Sequence, residues 1–218
     1  MAERALDSDR LTALATIPAA VRPAFATLWN LDLALADVVA TTSEPALGAI
    51  RLAWWRERLE ELDNQAPLPG EPRLIAIARQ LVGRGVSGME LSKLEDAWLP
   101  MLEPLPWGDA QADGLSLRGR ILFGIGARLL GGEPANAQAT GAFWSLVDGA
   151  RHCSDPVSRD LLLNAARTVT FPLKVPRNVR PLTVLAAVAV AEIKDPSSGV
   201  ARVMAALLHR QTGRFASL

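Results

Sequence analysis

The sequence has little of the chemistry that builds disulfides and local metal sites. It contains one cysteine, Cys153, two histidines, His152 and His209, no tyrosine, and three lysines among its 23 basic residues. A single cysteine excludes an internal disulfide and a multi-cysteine metal site. The two histidines are too far apart in sequence to form a local His-x-x-x-His metal motif.

The charge and the apolar content exclude further classes of protein. The 218 residues carry 23 basic and 23 acidic side chains, so the formal net charge is zero, and half of the residues are hydrophobic. Zero net charge argues against nucleic acid as a general partner, because such binding needs a basic surface. The high apolar fraction excludes a wholly disordered chain.

No apolar run reaches the length of about 20 residues that a membrane span requires. The longest run, 181–191, is closed by Glu192 and is typical of a buried helix. The first residues are charged and lack an apolar signal stretch, so we expect a cytoplasmic protein with no transmembrane segment. Peripheral contact with a membrane stays open.

Helical periodicity dominates the sequence, and Pro and Gly clusters divide it into segments of helical length. The pattern predicts an all-α bundle of about eight helices in a single domain, 1–218. Ser87 and Glu90 have capping-box spacing and predict a helix to about residue 99. Residues 100–114 are predicted to be irregular.

Two predicted helices have recognisable faces. In the helix over 20–39, one apolar face carries Asp32 on or beside it and consists of Phe25, Leu28, Trp29, Leu33 and Ala36. In the helix over 43–62, the predicted inward residues are Leu47, Ile50, Trp54 and Leu62. Because neighbouring residues point about 100° apart, we expect one of Trp54 and Trp55 in the core and the other at its edge or at an interface.

The string Ser43-Glu-Pro-Ala-Leu-Gly-Ala-Ile-Arg-Leu-Ala-Trp-Trp-Arg56 resembles the squalene/phytoene synthase family, especially its shorter bacterial and mitochondrial members. Segments 25–34, 141–151, 180–187 and 207–214 are also similar to that family, so the resemblance covers about 20–214. It implies an all-α terpenoid-synthase fold with a central cavity. It also points toward the branch of the mitochondrial complex I assembly factor, a member with eroded motifs.

Active family members, as the resemblance implies, join two prenyl diphosphates head to head. They use two Asp-x-x-x-Asp motifs, whose carboxylates share a helical face and hold Mg²⁺ on the diphosphate. Here Asp32 and Asp37 are five residues apart and point about 140° away from each other, so they cannot easily share one metal. Matching Arg151 to the family's arginine places His152 and Pro156 where the second pair of aspartates would stand. The family's downstream tyrosine is missing, since the chain has none.

Another metal site is an open alternative. Asp148, His152 and Asp155 would share one face of a continuous helix and could ligate a divalent ion, with Asp32 as a further ligand. In the competing interpretation, Asp148 and His152 form an intrahelical hydrogen bond and Asp155 caps the helix that starts at Pro156.

Four residues are candidates for substrate binding. Arg51 and Arg56 could hold a phosphate, or they could pair with acids such as Glu44 or Glu60. Trp55 could line a prenyl cavity or pack in the core. Arg151 is the fourth candidate, through its match to the family's arginine.

Two hypotheses of function follow from the resemblance and the lost motifs. The first is a non-catalytic relative, a pseudoenzyme, that serves as a scaffold or binds a lipid or isoprenoid and needs no cofactor. The second is a prenyltransferase of isoprenoid biosynthesis with a remodelled Mg²⁺-diphosphate site and a squalene- or phytoene-type product. The first hypothesis leaves room for a protein partner or a homodimer, because a reduced scaffold can expose apolar helix faces.

Overall fold

The computed structural model describes residues 5–64 and 70–216, and 78% of these residues are helical. This confirms the all-α prediction, and the only β pairing among the described residues is an isolated bridge between Lys174 and Arg214. The helices are α1 (Ser8–Thr16), α2 (Arg22–Ala40), α3 (Pro45–Glu61), α4 (Pro72–Gln80), α5 (Gly88–Ser92), α6 (Leu94–Trp98), α7 (Asp109–Leu129), α8 (Gln138–His152), α9 (Pro156–Thr168), α10 (Arg180–Lys194) and α11 (Gly199–Thr212).

The chain divides into two compact units. The first comprises Met1–Leu6 and Pro18–Pro104, and the second comprises Asp7–Ile17 and Leu105–Leu218. Helices α2 to α6 therefore belong to the first unit, whereas α1 and α7 to α11 belong to the second. The single-domain organisation over 1–218 stays a prediction.

In the first unit, α2 supplies the central part of the core. Phe25, Leu28 and Trp29 of its predicted apolar face are buried, and the rings of Phe25 and Trp29 meet edge to face with centroids 5.6 Å apart. Leu33 and Ala36, also predicted on that face, are only half-buried, and Leu31, Ala34, Leu35 and Val38 are buried instead. Asp32 is fully buried on the same helix, as its position on the apolar stripe predicted. Helix α2 packs against α3, α4 and α6 of its own unit.

The predicted inward face of α3 is wrong. The buried residues are Gly48, Leu52, Trp55 and Leu59, whereas Ile50 is 66% exposed, Leu47 and Trp54 are also exposed, and Leu62 follows the helix as its C-cap and is half-buried. The predicted and the observed inward faces of α3 are both apolar stripes, so periodicity alone does not determine which of them is buried. The close approach at Gly48 selects it, because a Cβ there would lie 2.3 Å from Leu102.

The segment predicted as one helix from Ser87 forms two short helices, α5 and α6, divided at Lys93. Its start is confirmed, since the Ser87 hydroxyl accepts a hydrogen bond from the Glu90 amide at 3.1 Å. The Asp63 carboxylate adds further capping by accepting from the amides of Gly88 and Met89. The described residues contain eleven helices, where about eight were expected.

In the second unit, α7 and α8 cross with their backbones in close contact. A Cβ added at Gly119 would lie 2.0 Å from the Gly141 carbonyl oxygen, so both positions require glycine. The rings of Phe123 and Trp144 stack across this pair. Helix α7 begins at Asp109, so residues 109–114, predicted to be irregular, are helical. The Gln111 side chain accepts a hydrogen bond from the Gly108 amide and so caps the start of this helix.

The long apolar run near the C-terminus is a buried helix, as predicted, with residues 182–191 of α10 all buried. A different segment, Ala19–Ala40, which includes α2, is the one candidate in the described residues with the length and apolarity to cross a membrane. The buried core helix of a soluble protein passes the same test, and 56% of the tested window lies inside the protein. Length and composition therefore do not make α2 a membrane span.

Candidate functional site

A groove of about 380 Å³ opens along α2 and α3 in the first unit. We call it the tryptophan groove, and its lining residues are Ala34, Asp37, Val38, Ile50, Arg51, Trp54, Trp55 and Arg73. Its volume falls within the range of small-molecule sites. Three of the residues singled out from the sequence, Asp37, Arg51 and Trp55, therefore lie together.

The two tryptophans form much of the apolar wall of this groove. Trp55 is buried, with 6% of its surface exposed, whereas Trp54 is 42% exposed, so the predicted division between core and edge is confirmed. Their rings pack edge to face with centroids 5.2 Å apart. Trp55 thus fixes the position of Trp54, which offers its ring to the groove together with the exposed Ile50.

Arg51 and Arg73 bring positive charge to the same groove. Nη1 of Arg51 donates hydrogen bonds to the hydroxyl oxygens of Thr42 at 2.6 Å and Thr41 at 3.3 Å. Both threonines follow α2 directly, so the α2–α3 connection orients this guanidinium. Within residues 5–64 and 70–216, neither arginine forms an ion pair with a carboxylate. The Asp37 carboxylate lines the same groove, so two positive side chains and one negative side chain meet there and a positive charge remains for an anionic group.

Asp32, the other acid on α2, is part of the core of the first unit. Its Oδ1 accepts a hydrogen bond from the indole Nε1–H of Trp98 at 3.1 Å, and its side chain is fully buried. Asp37 instead lines the tryptophan groove. The two carboxylates therefore have different surroundings, in agreement with the angle expected between positions five residues apart.

The second unit contains a buried cluster of charges centred on Asp148. Its Oδ2 accepts hydrogen bonds from Arg118 at 3.0 Å and from Arg10 at 3.2 Å, and all three side chains are almost entirely buried. Both guanidiniums also lie over the Trp144 ring, with each Cζ 5.0 Å from its centroid. Burial alone would raise the pKa of Asp148, but Arg10 and Arg118 outweigh it and hold that pKa well below its usual range.

Residues 4–91 match the family model of squalene/phytoene synthase. The match supports membership of the squalene/phytoene synthase family. It covers about two fifths of the chain and includes the whole 43–56 string and every residue that lines the tryptophan groove. No curated protein and no solved structure matches the chain.

Of the three candidate metal ligands, Asp148 and His152 stay close on α8, with His152 Nδ1 3.7 Å from Asp148 Oδ1, whereas Asp155 has a different role. Asp148 faces the two arginines, while the His152 Nδ1–H donates to the Asp148 backbone carbonyl oxygen at 2.8 Å within α8. Asp155 lies beyond the end of α8 and caps α9 by accepting from the Ser158 amide at 2.7 Å. In residues 5–64 and 70–216, no group of three or more His, Cys, Asp or Glu side chains could hold a metal ion.

Arg151, matched to the family's arginine, makes ion pairs on the surface of the second unit. It pairs with Asp9 at 2.8 Å and with Glu192. Burial lowers the pKa of Arg151, but Glu192 and Asp9 raise it by more than burial lowers it. The net shift is upward, so the guanidinium stays charged. It also lines a second groove of about 280 Å³ together with Arg159 and Arg167. Because Arg151 is already neutralised, its role as a substrate ligand stays a prediction.

Arg56, the last candidate of the 43–56 string, lies outside the tryptophan groove. Its Nη1 is 3.6 Å from the Glu95 carboxylate on α6, so it pairs with an acid other than the two expected, Glu44 and Glu60. Burial raises the pKa of Glu95, and Arg56 partly offsets this effect. The contact joins α3 to α6 within the first unit.

Three arginines that matter here were not singled out from the sequence. Arg73 lines the groove from α4, and no local motif marks it. Arg10 and Arg118 are buried, although arginine is mostly a surface residue. A signal for Arg118 exists, because it lies on α7 at helical spacing from the buried residues Leu115 and Leu122.

Proposed function

We propose that this squalene/phytoene synthase-like protein binds an isoprenoid or a similar apolar chain with an anionic end, and that it does not condense two prenyl diphosphates. The observation that carries the proposal is the tryptophan groove. It combines an apolar wall with two arginines that form no ion pair within residues 5–64 and 70–216.

The lining of the groove matches this ligand chemistry. Ala34, Val38, Ile50 and the two tryptophans offer an apolar surface to a hydrocarbon chain. Arg51 is already oriented by two threonine hydroxyls, so little side-chain freedom is lost when it binds a phosphate. Guanidinium groups bind phosphate oxygens through paired, charge-assisted hydrogen bonds.

To condense prenyl diphosphates, the protein would need carboxylates that are free to bind Mg²⁺ on the diphosphate. Asp32 is buried and bonded to the Trp98 indole, and Asp148 is held between two guanidiniums. A carboxylate with these neighbours would have to lose a strong internal contact before it could ligate a hard cation. Asp37 lines the groove without a second aspartate from its own helix, so the residues present do not fit the family's paired-aspartate metal site.

The proposal is tested by binding of farnesyl diphosphate to the purified protein, followed by intrinsic tryptophan fluorescence. We expect binding that persists when Mg²⁺ is removed with a chelator. Arg51→Gln should weaken it roughly ten- to a hundredfold, the usual worth of a charge-assisted hydrogen bond. Arg79→Gln is the matched control, because Arg79 is exposed on α4 and does not line the groove.

Two further measurements distinguish binding in the groove from prenyltransferase activity. Farnesol lacks the diphosphate, so its weaker binding should respond to Trp54→Ala and not to Arg51→Gln. Turnover of farnesyl or geranylgeranyl diphosphate in the presence of Mg²⁺, with a squalene- or phytoene-type product found by mass spectrometry, would establish the prenyltransferase alternative and overturn the proposal. Equal binding by Arg51→Gln and the unchanged protein would remove the groove as the site.

A further inference from the structure

Basic residues are concentrated in the C-terminal part of this formally neutral chain. Residues 161–191 and 196–218 contain no Asp or Glu, and together they hold seven basic side chains: Arg167, Lys174, Arg177, Arg180, Arg202, Arg210 and Arg214. The net charge of zero therefore conceals a strongly cationic region within the second unit.

The fold brings several of these residues to one end of α11. Lys174 and Arg214 form the isolated antiparallel bridge, with hydrogen bonds of 3.0 Å from the Val175 amide to the Gly213 carbonyl and from the Phe215 amide to the Leu173 carbonyl. The Arg180 guanidinium donates to the carbonyl of Gln211, in the last turn of α11, at 2.6 Å. Segment 173–180 and the end of α11 thus form one cationic patch.

Helix α11 itself presents an apolar stripe to the outside. Its buried side carries Ala206 and His209. On the other side, five apolar side chains at spacings of three and four residues are each about half exposed or more: Val200, Val203, Met204, Leu207 and Leu208. Leu173, beside the end of the helix in the bridge, is also exposed. The helix is therefore amphipathic, and the described residues of its own unit do not cover its apolar face.

We propose that this α11 surface, the stripe 200–208 with the cationic patch beside it, binds the surface of an anionic lipid bilayer. A helix with an apolar face and basic flanks lies in the plane of the interface, with its apolar side chains below the headgroups. The lysine and arginines of the patch then meet the negative lipid headgroups. This inference does not rest on the tryptophan groove.

The observations favour a bilayer over a second copy of the chain. The stripe exposes on the order of 500 Å², less than the roughly 800 Å² per partner of a stable protein interface. A two-fold contact with the two α11 helices parallel would also place the cationic patch of one copy beside that of the other, which Coulomb repulsion opposes. Nucleic acid would satisfy the charges and leave the apolar stripe exposed to water.

The test is co-sedimentation of the whole chain with vesicles of phosphatidylcholine alone and of phosphatidylcholine with about 30% phosphatidylglycerol, a mixture chosen for its negative surface. We expect binding to the anionic vesicles, weakened by salt, and little binding to the neutral ones. Arg210→Gln and Arg214→Gln should each lower the partition coefficient about fivefold. The pair Val203→Gln with Leu207→Gln should lower it tenfold or more.

Val157→Gln is the matched control, because Val157 on α9 is 63% exposed and Val203 is 60% exposed. All of these side chains point outward, so the variants should keep the circular dichroism spectrum of the unchanged protein. Equal binding to both kinds of vesicle, or full binding by the Val203 and Leu207 pair, would overturn the proposal. A dimer in solution that this pair converts to monomer would also overturn it and assign the surface to a second copy.

Discussion

The charge cluster around Asp148 gives the sharpest test of how the second unit is held together. Replacing Asp148 by asparagine keeps the size of the side chain and one hydrogen-bond acceptor, but it removes the negative charge. Arg10 and Arg118 would then be two buried guanidiniums beside each other without a central counter-ion, although Asp7 still pairs with Arg10. Burial of unpaired charge is among the largest single costs to folding.

The expected magnitude follows from this burial. Removing one partner of a buried ion pair destabilises a protein by about 3–5 kcal/mol. For a chain of this size, such a loss lowers the melting temperature by about 6–20 °C. Asp160→Asn is the matched control, since Asp160 is exposed on α9 and its change should stay within about 0.5 kcal/mol.

The assay is chemical denaturation of both variants, repeated as a function of pH. The pKa of Asp148 is lowered in the folded state, so its stabilising effect is present above the unfolded pKa of about 3.9 and is lost as the pH falls below that value. The difference between the unchanged protein and Asp148→Asn should therefore narrow below about pH 4.

A triple variant tests whether the loss of stability in Asp148→Asn comes from the unpaired charges. Arg10→Met, Arg118→Met and Asp148→Leu together replace the charges by apolar groups, which is often neutral or stabilising. It should recover most of the stability that Asp148→Asn loses. A loss below about 1 kcal/mol for Asp148→Asn, or a triple variant no more stable than the single one, would refute the electrostatic reasoning.

Three further predictions concern packing, titration and capping. Gly141→Ala should lower the free energy of unfolding by about 1–3 kcal/mol, because its Cβ would lie 2.2 Å from the Gly119 carbonyl oxygen, whereas Gly199→Ala meets nothing within 4 Å and should cost nothing. His209 is buried and its pKa is lowered, mainly by burial, so stability should fall as the pH drops below about 6.5, and His209→Gln should abolish that part of the slope in denaturation at pH 4.5–7.5. Asp63→Ala should cost about 0.5–2 kcal/mol in thermal unfolding by removing the cap of α5, and no change would show that Ser87 caps this helix alone.

Much of the fold was accessible to sequence reasoning. The all-α class, the burial of Phe25, Leu28 and Trp29 on α2 and the buried run of α10 follow from helical periodicity and apolar content. That only one of Trp54 and Trp55 lies in the core follows from helix geometry, although the prediction that Trp54 is the inward one is wrong. Asp155 as the cap of α9 follows from a short acceptor placed before Pro156. Each of these depends on interactions within one helix or on the burial of one face.

The candidate site was accessible only in part. The 43–56 string pointed to Arg51 and Trp55, but nothing local pointed to Arg73, which joins them from α4. The partners of Asp148 are similarly distant in sequence, since Arg10 precedes it by 138 positions. No local pattern reports on such pairs, because the helices that carry them are brought together only by packing.

The sequence by itself determined that the chain is helical, that Asp32 and Asp37 are five residues apart, and that its C-terminal part is cationic. Those properties depend on residue types and on distances along one helix. Tertiary structure alone decided which of the two apolar stripes of α3 is buried and which carboxylates are neutralised. The reason is that a helix with two apolar sides has no intrinsic preference, so the close contact of Leu102 with Gly48 turns Trp54 and Ile50 toward the groove.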